Sequence, residues 1–328
     1  MDSRLISLVS CSYKFVNKVV VSAFVERWQP ETNTFHLLFG ETPPTLNNVS
    51  VILGIPVIDK SVSCKMLSNV DAANLLVEAL GVTVDEANVA LKVAWGQSIK
   101  VEWLRQWFRQ DWHTCSSNVF AFSYGFVISC FLYLGAAPLA FLYQQLCTAT
   151  RYAVKQMAGY MTLLEAWIYE NFFGARPHPN LDYKEDQSRV FRWICRTQSG
   201  LSMCILQRLQ EDLHRLEAHD VIWDPYHDKC IEHPFSDVTY YSGCIKCMQI
   251  VELYHPNKVL RQFGKVKTIP SPSLALVQAS RGSTSKQYSI AYKYLDTIWE
   301  SWENHLLFET THSVLVFHPW DCVPSYLD

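Results

Sequence analysis

Residues 19–54, VVVSAFVERWQPETNTFHLLFGETPPTLNNVSVILG, contain the start and stop signals of several consecutive elements. The apolar run 19–28 has a helical period, and this helix should end before Pro30, which forces the preceding residue out of helical backbone space. The alternation from Thr34 to Phe39 predicts a short strand, and Gly40 should turn the chain after it.

The end of the same stretch predicts a second helix. Thr45 is a good N-cap for LNNVSVIL, residues 46–53, because its hydroxyl can accept a backbone N–H of the first turn. Gly54 should close this helix in the left-handed conformation, and Pro56 prevents its continuation. The whole stretch is therefore predicted to build the fold.

Apolar residues at helical spacing continue through the rest of the chain. They predict helices at 71–80, 85–110, 152–173, 201–218 and 286–307. Clusters of Pro, Gly and polar residues predict loops at 174–189 and 264–285, and short antiparallel strands are expected near 34–45, 245–253 and 313–317. The predicted fold class is mainly α, a helical globular domain with a few short antiparallel strands.

The composition is that of a globular protein. Of 328 residues, 49% are hydrophobic and 18% are charged, which is far from the disordered regime. A net charge of −3 with mixed signs gives no electrostatic footprint for DNA or RNA, although a local basic face stays open. Eleven cysteines without a framework spacing, and no clear signal peptide, favour reduced thiols in an intracellular compartment.

A long uncharged stretch allows two interpretations. No Asp, Glu, Lys or Arg lies between Asp111 and Arg151, and residues 119–143 are long enough to cross a bilayer. The alternative is a pair of buried helices joined at Gly135 or Pro138.

Cysteine spacing suggests one candidate metal site. Cys230, His233, Cys244 and Cys247 form two pairs that could close a tetrahedral zinc site. Cys247 also opens an apolar run typical of a buried strand, where cysteine behaves as a small hydrophobic residue.

A second group of candidate residues lies in HDVIWDPYHD, which contains His219, Asp220, Asp224, His227 and Asp228. These residue types can bind a metal or move protons, but solvated polar residues are also expected between a helix and a proline turn. His36, between Phe35 and Leu37, is interpreted as a strand histidine. The motifs GxxxxGK[ST], GxSxG and HExxH do not occur.

Four blocks resemble the plant mobile domain family, and they occur in the family's order. Residues 23–57 match its opening segment, 139–147 with 159–172 match its central helices, VIWDPY at 221–226 matches a turn, and VELYHPNKVLRQFG at 251–264 matches its most recognisable block. The signature positions, whose roles are unassigned, are Arg27, Trp28, Glu31, Thr34, Gly40, Glu41, Arg261, Gln262, Phe263 and Gly264.

Two details of the resemblance lead to structural expectations. Arg261 and Gln262 lie between apolar Leu260 and Phe263, so we expect them to anchor packing or a buried polar contact. The family's polar central connector, which contains Asp-Lys-Ser-Gly-Asn, is missing here. This loss explains the uncharged stretch as two buried helices brought together, and no membrane span is expected.

The resemblance assigns residues 19–308 to the plant mobile domain, after an N-terminal extension (1–18) and before a C-terminal tail (309–328). The segment 174–189 is the best internal boundary. The resemblance implies a non-enzymatic nuclear protein-interaction module, without a cofactor, linked to transposon silencing, gene expression and meristem maintenance. Its implied partner is a phosphatase-like protein with a related domain, and the family offers no catalytic residue to carry over.

Two other functions stay open. A hydrolase or transferase would use a dispersed acid/base or metal site around His219–His233, and it would need a cleft that joins those groups. A nucleic-acid-binding domain derived from a transposon would need a continuous basic face that the linear sequence hides.

Overall fold

The computed structural model describes residues 16–54, 57, 68–93, 136–150, 161–185, 187–194, 203–226, 237–247, 250–266, 298 and 301–307. Within these ranges the helices are α1 (Lys18–Val25), α2 (Leu46–Leu53), α3 (Asn69–Leu80), α4 (Val84–Val93), α5 (Ala136–Ala149), α6 (Met161–Asn171) and α7 (Met203–Arg215). The strands are β1 (Trp28–Gln29), β2 (Thr34–Leu37), β3 (Gly40–Thr42), β4 (His178–Pro179), β5 (Trp193–Ile194), β6 (Gly243–Cys247) and β7 (Ile250–Tyr254). The predicted fold class, mainly α with a few short antiparallel strands, is confirmed.

The described strands pair in three antiparallel groups. β1, β2 and β3 form a meander in which Trp28 lies opposite Phe35. β4 pairs with β5, and β6 pairs with β7. The strands predicted near 34–45 and 245–253 are therefore confirmed, whereas the one near 313–317 lies outside the described residues.

Local chemistry sets the ends of the first two helices. Asn17 caps α1, since its side-chain oxygen accepts the N–H of Val20 at 3.2 Å. α2 starts at a capping box, in which the side chains of Thr45 and Asn48 each accept the other's backbone N–H, and it ends at Gly54. The predicted caps of α2 are confirmed.

α1 and β2 are shorter than predicted. α1 ends at Val25 and does not extend to residue 28, because Trp28 pairs with Phe35 across the meander. β2 ends at Leu37, because Leu38 and Phe39 form the turn that leads into β3. α3 and α7 lie at predicted helices, and α4 and α6 are the described parts of the helices predicted at 85–110 and 152–173.

Two predicted segments need correction. The loop at 174–189 contains β4, which pairs with β5 further along the chain. The helix predicted at 286–307 is wrong at its end, where Trp302–His305 forms a 3-10 turn and Leu306 bridges to Tyr241. In both cases backbone pairing with another segment determines the conformation.

α6 lies deep in the core, because every residue from Met161 to Asn171 is buried. Trp167 stacks on Phe35, with 5.4 Å between ring centroids, and meets Phe24 edge-on at 6.3 Å. α5 is buried along most of its length and packs against β6 and β7, so the described end of the uncharged stretch is a core helix. None of the helices in the described ranges has the length and apolar character needed to cross a membrane.

Candidate functional site

The signature residues Arg261 and Gln262 lie where distant segments of the chain meet. Both belong to a 3-10 turn after β7, and both are buried. Arg261 donates a hydrogen bond from Nη1 to the Phe39 carbonyl at 3.2 Å. The Gln262 amide donates to Thr42 Oγ1 at 2.7 Å and to the Pro43 carbonyl at 2.8 Å. These are buried polar contacts of the kind that their apolar neighbours predict, and they join the turn to the segment around β3.

Arg261 also contacts a third segment. Its guanidinium lies 5.0 Å from the ring centroid of Trp223, which belongs to VIWDPY. Phe39 meets the same indole edge-on at 5.4 Å. A cation over an aromatic face is attracted to it, so three of the four resembling blocks converge on contacts that stabilise the fold.

Glu41 belongs to a partly exposed polar group between β2, β3 and the turn after β7. Its carboxylate oxygens lie 3.2 Å from Lys258 Nζ and 3.6 Å from His36 Nε2. Thr34 donates its hydroxyl to the same carboxylate at 3.4 Å. Exposed ion pairs contribute about 0–1 kcal/mol, so this group aligns neighbouring segments more than it stabilises them. The interpretation of His36 as a strand histidine is confirmed.

Arg27 and Trp28 connect the meander to two helices. Trp28 donates its indole N–H to Cys147 Sγ on α5 at 3.3 Å. Arg27 donates from Nη2 to the Gln210 carbonyl on α7 at 3.0 Å. Burial lowers the pKa of Arg27 from its usual value, but an arginine remains charged at physiological pH.

The remaining signature positions serve turns and packing. Gly40 and Gly264 have φ angles of 127° and 64°, which L side chains rarely adopt, so glycine suits both turns. Phe263 packs edge-on against Tyr240 at 5.3 Å, and Glu31 is exposed. Most signature side chains therefore hold the fold together, and none of them lines the cavity described below.

A buried ionic network that sequence reasoning missed lies beside α6. Glu170 is fully buried and accepts hydrogen bonds from Arg189 Nη1 at 3.2 Å, Arg192 Nη1 at 2.9 Å and Trp193 Nε1 at 2.8 Å. Several donors on one carboxylate offset the cost of removing it from water. The available signal was an acid inside the apolar run LLEAWIYENF, since such acids are rarely buried without a partner.

Glu165, in the same helix, lacks such partners. Its Oε1 accepts the backbone N–H of Asn17, and its Oε2 has no hydrogen-bond partner. Burial raises the pKa of Glu165 to about 8, an effect that the Asn17 hydrogen bond only partly opposes. At neutral pH this side chain is therefore mostly protonated in the folded protein.

The zinc candidate falls only partly within the described residues. Cys244 is buried in β6, and Cys247 ends the same strand, whereas Cys230 and His233 lie outside the described ranges. Burial, with a smaller contribution from Glu252, raises the pKa of the Cys244 thiol to about 12, which disfavours the thiolate that zinc requires. Within the part of the chain that the structure describes, no group of three or more His, Cys, Asp or Glu could hold a metal ion. The zinc site stays a prediction.

Of the acid/base candidates after α7, His219 and Asp220 are exposed and Asp224 is half-buried. His219 lies 3.4 Å from Glu217 and 3.6 Å from Asp220, and its side chain is 59% exposed. Asp224 accepts a backbone N–H two residues further on. The other two candidates, His227 and Asp228, lie outside the described residues. The described members therefore form a surface turn and do not enclose a cleft.

An open cavity of about 350 Å³ lies between the start of α1, the turn after α6, and α7. Its apolar lining includes Val19, Val20, Ala175, Ile205 and Leu209. Its polar lining includes Asn17, Arg176, His178, Arg208 and Asp212. Arg176 is fixed by hydrogen bonds to the Tyr169 and Glu170 carbonyls, at 2.6 Å and 2.8 Å. The sequence could not reveal this cavity, because its lining comes from separate segments.

The fold and its contacts define a mainly helical domain in which the sequence blocks that resemble the family pack against one another. The chain belongs to the plant mobile domain family, whose profile matches residues 5–133 and 115–327. The two matched segments overlap at 115–133, within the uncharged stretch.

The curated relatives are plant proteins that are longer than the matched region. The chain is 29% identical over 335 residues to the serine/threonine-protein phosphatase 7 long form homolog of Arabidopsis thaliana, a match that covers 86% of this chain and 24% of that protein. It is 28% identical over 306 residues to Protein MAINTENANCE OF MERISTEMS of the same plant, covering 81% and 60%. It is 27% identical over 290 residues to Protein MAIN-LIKE 1, also from Arabidopsis thaliana, covering 78% and 55%. The chain thus spans less than two thirds of each of these relatives, and no solved structure matches it.

Proposed function

We propose that this chain is a non-enzymatic protein-interaction module that acts in the nucleus, in transposon silencing, gene expression and meristem maintenance. One observation carries the proposal. Among the described residues, five of the ten large hydrophobic side chains that are exposed occur between positions 173 and 205, namely Phe173, Leu181, Ile194, Met203 and Ile205. Two of them lie at the cavity: Ile205 lines it, and the ring centroid of Phe173 is 4.0 Å from the guanidinium of Arg176, which also lines it. Exposed apolar side chains at one place on the surface are typical of a surface that a partner covers.

The scaffold beneath this apolar region is well fixed. β4 pairs with β5, placing Pro179 opposite Trp193. Trp193 and Arg192 in turn donate hydrogen bonds to the buried carboxylate of Glu170. A surface that is already ordered loses less conformational entropy when a partner binds, so the region is suited to recognition.

The non-enzymatic part of the proposal rests on how the signature side chains are used. Trp28, Arg261 and Gln262 direct their donors to groups inside the fold. A general acid or base must instead reach a substrate within hydrogen-bonding distance. The exposed position of His219 also favours a solvated turn over an acid/base site.

The proposed partner and compartment come from family membership. One relative is named as a phosphatase 7 long form homolog, and another is named for the maintenance of meristems. For this chain we propose a phosphatase-like partner with a related domain, and a nuclear location.

The test is affinity purification of the tagged full-length chain from plant nuclei, followed by mass spectrometry. We expect recovery of a phosphatase-like protein in near-equal amount, reduced about tenfold or more by Phe173→Ser combined with Ile205→Ser. Val89→Ser is a matched control, because Val89 is 59% exposed but lies on α4.

Three results would count against the proposal. Recovery of chaperones alone would contradict the interaction function. Equal recovery of the partner by the wild type and the double variant would show that the partner does not bind the apolar region. Exclusion of a fluorescent fusion of the full chain from the nucleus would refute the location.

A further inference from the structure

We propose that the cavity between α1, the turn after α6, and α7 binds a partner peptide in which a large apolar side chain lies next to a carboxylate. This inference rests on the proposed interaction function. It adds the place of contact and the chemistry that the partner must present there.

The size and walls of the cavity suit an apolar side chain. Its volume of about 350 Å³ is near the lower end of ligand sites, about 300–1,000 Å³. Val19 and Val20 of α1 and Ile205 and Leu209 of α7 supply apolar surface. An aliphatic or aromatic side chain that leaves water for such surface gains about 25 cal/mol per Å² buried.

Apolar surface continues around the mouth of the cavity. Ile205 is 47% exposed although it lines the cavity. Phe173, which precedes the lining residue Gly174, is 67% exposed, and Val16, which precedes Asn17, is 42% exposed. A partner that enters the cavity would therefore also cover apolar surface outside it.

The charged groups of the lining favour a carboxylate. The titratable side chains of the lining are Arg176, Arg208, His178, Asp212 and Tyr169, so the two arginines outnumber the single carboxylate. Arg208 is exposed and forms no ion pair with any residue that the structure describes. Arg176 directs its described hydrogen bonds to backbone carbonyls, not to a carboxylate oxygen. Arg208 can therefore attract an acidic group of the partner, whereas the carboxylate of Glu170 already interacts electrostatically with Arg176.

Asp212 limits how many acids the site accepts. It follows Arg208 by one helical turn on α7, so the two side chains lie on the same face of the helix. A carboxylate near Arg208 is attracted, whereas a second one further along the helix is repelled by Asp212. The best-fitting peptide therefore has one acid beside its apolar side chain and is not a long acidic run.

The test uses the purified full-length chain and short synthetic peptides. Each peptide places Leu, Phe or Trp beside a single Glu, and a matched set replaces that Glu with Lys. By fluorescence polarisation we expect the Glu set to bind about tenfold more tightly than the Lys set.

Charge exchange on the protein makes the test specific. Arg208→Glu should reverse the preference, because it changes the sign of the charge at the cavity. Arg215→Glu is the control, since Arg215 lies on the same helix, is 75% exposed and does not line the cavity. Ile205→Ser should weaken binding of both peptide sets.

Several outcomes would overturn the site. They are equal binding of both sets, binding of neither, or a preference that Arg208→Glu leaves unchanged. A dimer in sedimentation that Arg208→Glu abolishes would assign the cavity to a second copy of the chain and also overturn the proposal. If nuclear purification recovers a partner equally with and without Arg208→Glu, the interaction function stands and this site is wrong. If the wild type recovers no partner, the interaction function itself fails.

Discussion

Glu165 and Glu170 lie on the same buried helix, α6, but they differ in the number of hydrogen-bond donors around them. Glu170 accepts hydrogen bonds from Arg189, Arg192 and a tryptophan, so its carboxylate is compensated. Glu165 is equally buried, and the structure gives it one hydrogen bond, from the Asn17 N–H. Burial raises the pKa of Glu165 to about 8, so this residue couples the stability of the fold to pH.

Glu165→Gln should remove a loss of stability at high pH. The unfolded chain releases this proton near pH 4.5, and the folded chain releases it near pH 8. Between these pH values the folded state holds one more proton than the unfolded state, so the free energy of unfolding of the wild type falls as the pH rises. The loss is complete above about pH 8. Since one pKa unit corresponds to about 1.4 kcal/mol, the separation between pH 4.5 and about pH 8 predicts that the variant gains about 5 kcal/mol relative to the wild type across this range.

Urea unfolding at several pH values measures this difference. Glu211→Gln is the matched control, because Glu211 on α7 is 52% exposed and its ion pair with Arg215 is long, at 3.9 Å. Its effect should stay within a few tenths of a kcal/mol, about 0.5 at most. Parallel stability curves for the wild type and Glu165→Gln would show that Glu165 ionises freely in the fold.

For single residues, the sequence predicts which side chains are buried better than it predicts their hydrogen-bond partners. The burial of Arg261 and Gln262 follows from the apolar residues on either side of them. Their acceptors, the Phe39 and Pro43 carbonyls, lie 222 and 219 residues away along the chain. Tertiary packing alone brings such groups together, so no local pattern identifies them.

Elements are predictable where local chemistry sets their ends. α2 begins at the Thr45 capping box and ends at Gly54, as the sequence predicts. β1 and β5 have two residues each, and they exist only because other strands pair with them. The end of the helix predicted at 286–307 fails for the same reason, because the 3-10 turn there is held by backbone hydrogen bonds to Tyr240 and Ser242.

Gly243→Ala should destabilise the β6–β7 ladder. Tyr241 is buried, and its hydroxyl donates to the Cys244 carbonyl at 3.2 Å and accepts the Cys244 N–H at 3.0 Å, which holds the phenol beside Gly243. A Cβ at position 243 would overlap this phenol. Relieving the overlap must strain the core or break the hydrogen bonds, so we expect a cost of about 2–4 kcal/mol in urea unfolding.

Gly174→Ala separates this steric effect from the general effect of replacing a glycine. A Cβ at Gly174 would meet no atom within 4 Å, so its cost should stay below about 0.5 kcal/mol. In a protein that already carries Tyr241→Ala, Gly243→Ala should be nearly neutral, because the clashing ring is gone. Wild-type stability of Gly243→Ala alone would mean that Tyr241 can move without cost.

At the scale of the whole molecule, one hydrophobic cluster extends from Val19 to Tyr254. It includes Trp167 before the predicted boundary at 174–189 and Leu213 well after it. The sequence marks a polar loop at this boundary, but it cannot show which helices share a core. Shared packing across the segment implies that both sides unfold together, which the boundary prediction alone does not require.

We therefore expect the full-length chain to show one calorimetric transition, with equal calorimetric and van't Hoff enthalpies. Two variants on opposite sides of 174–189 test this. Glu170→Gln leaves buried Arg189 without its carboxylate and should cost about 3–5 kcal/mol. Gln262→Leu leaves two acceptors around β3 unpaired and should cost about 2–4 kcal/mol. Each should lower the Tm of the same transition.

If the scan instead showed two transitions and each variant moved a different one, the segment would separate two folding units. The proposed cavity, whose walls come from both sides of that segment, would then form only when the two units dock.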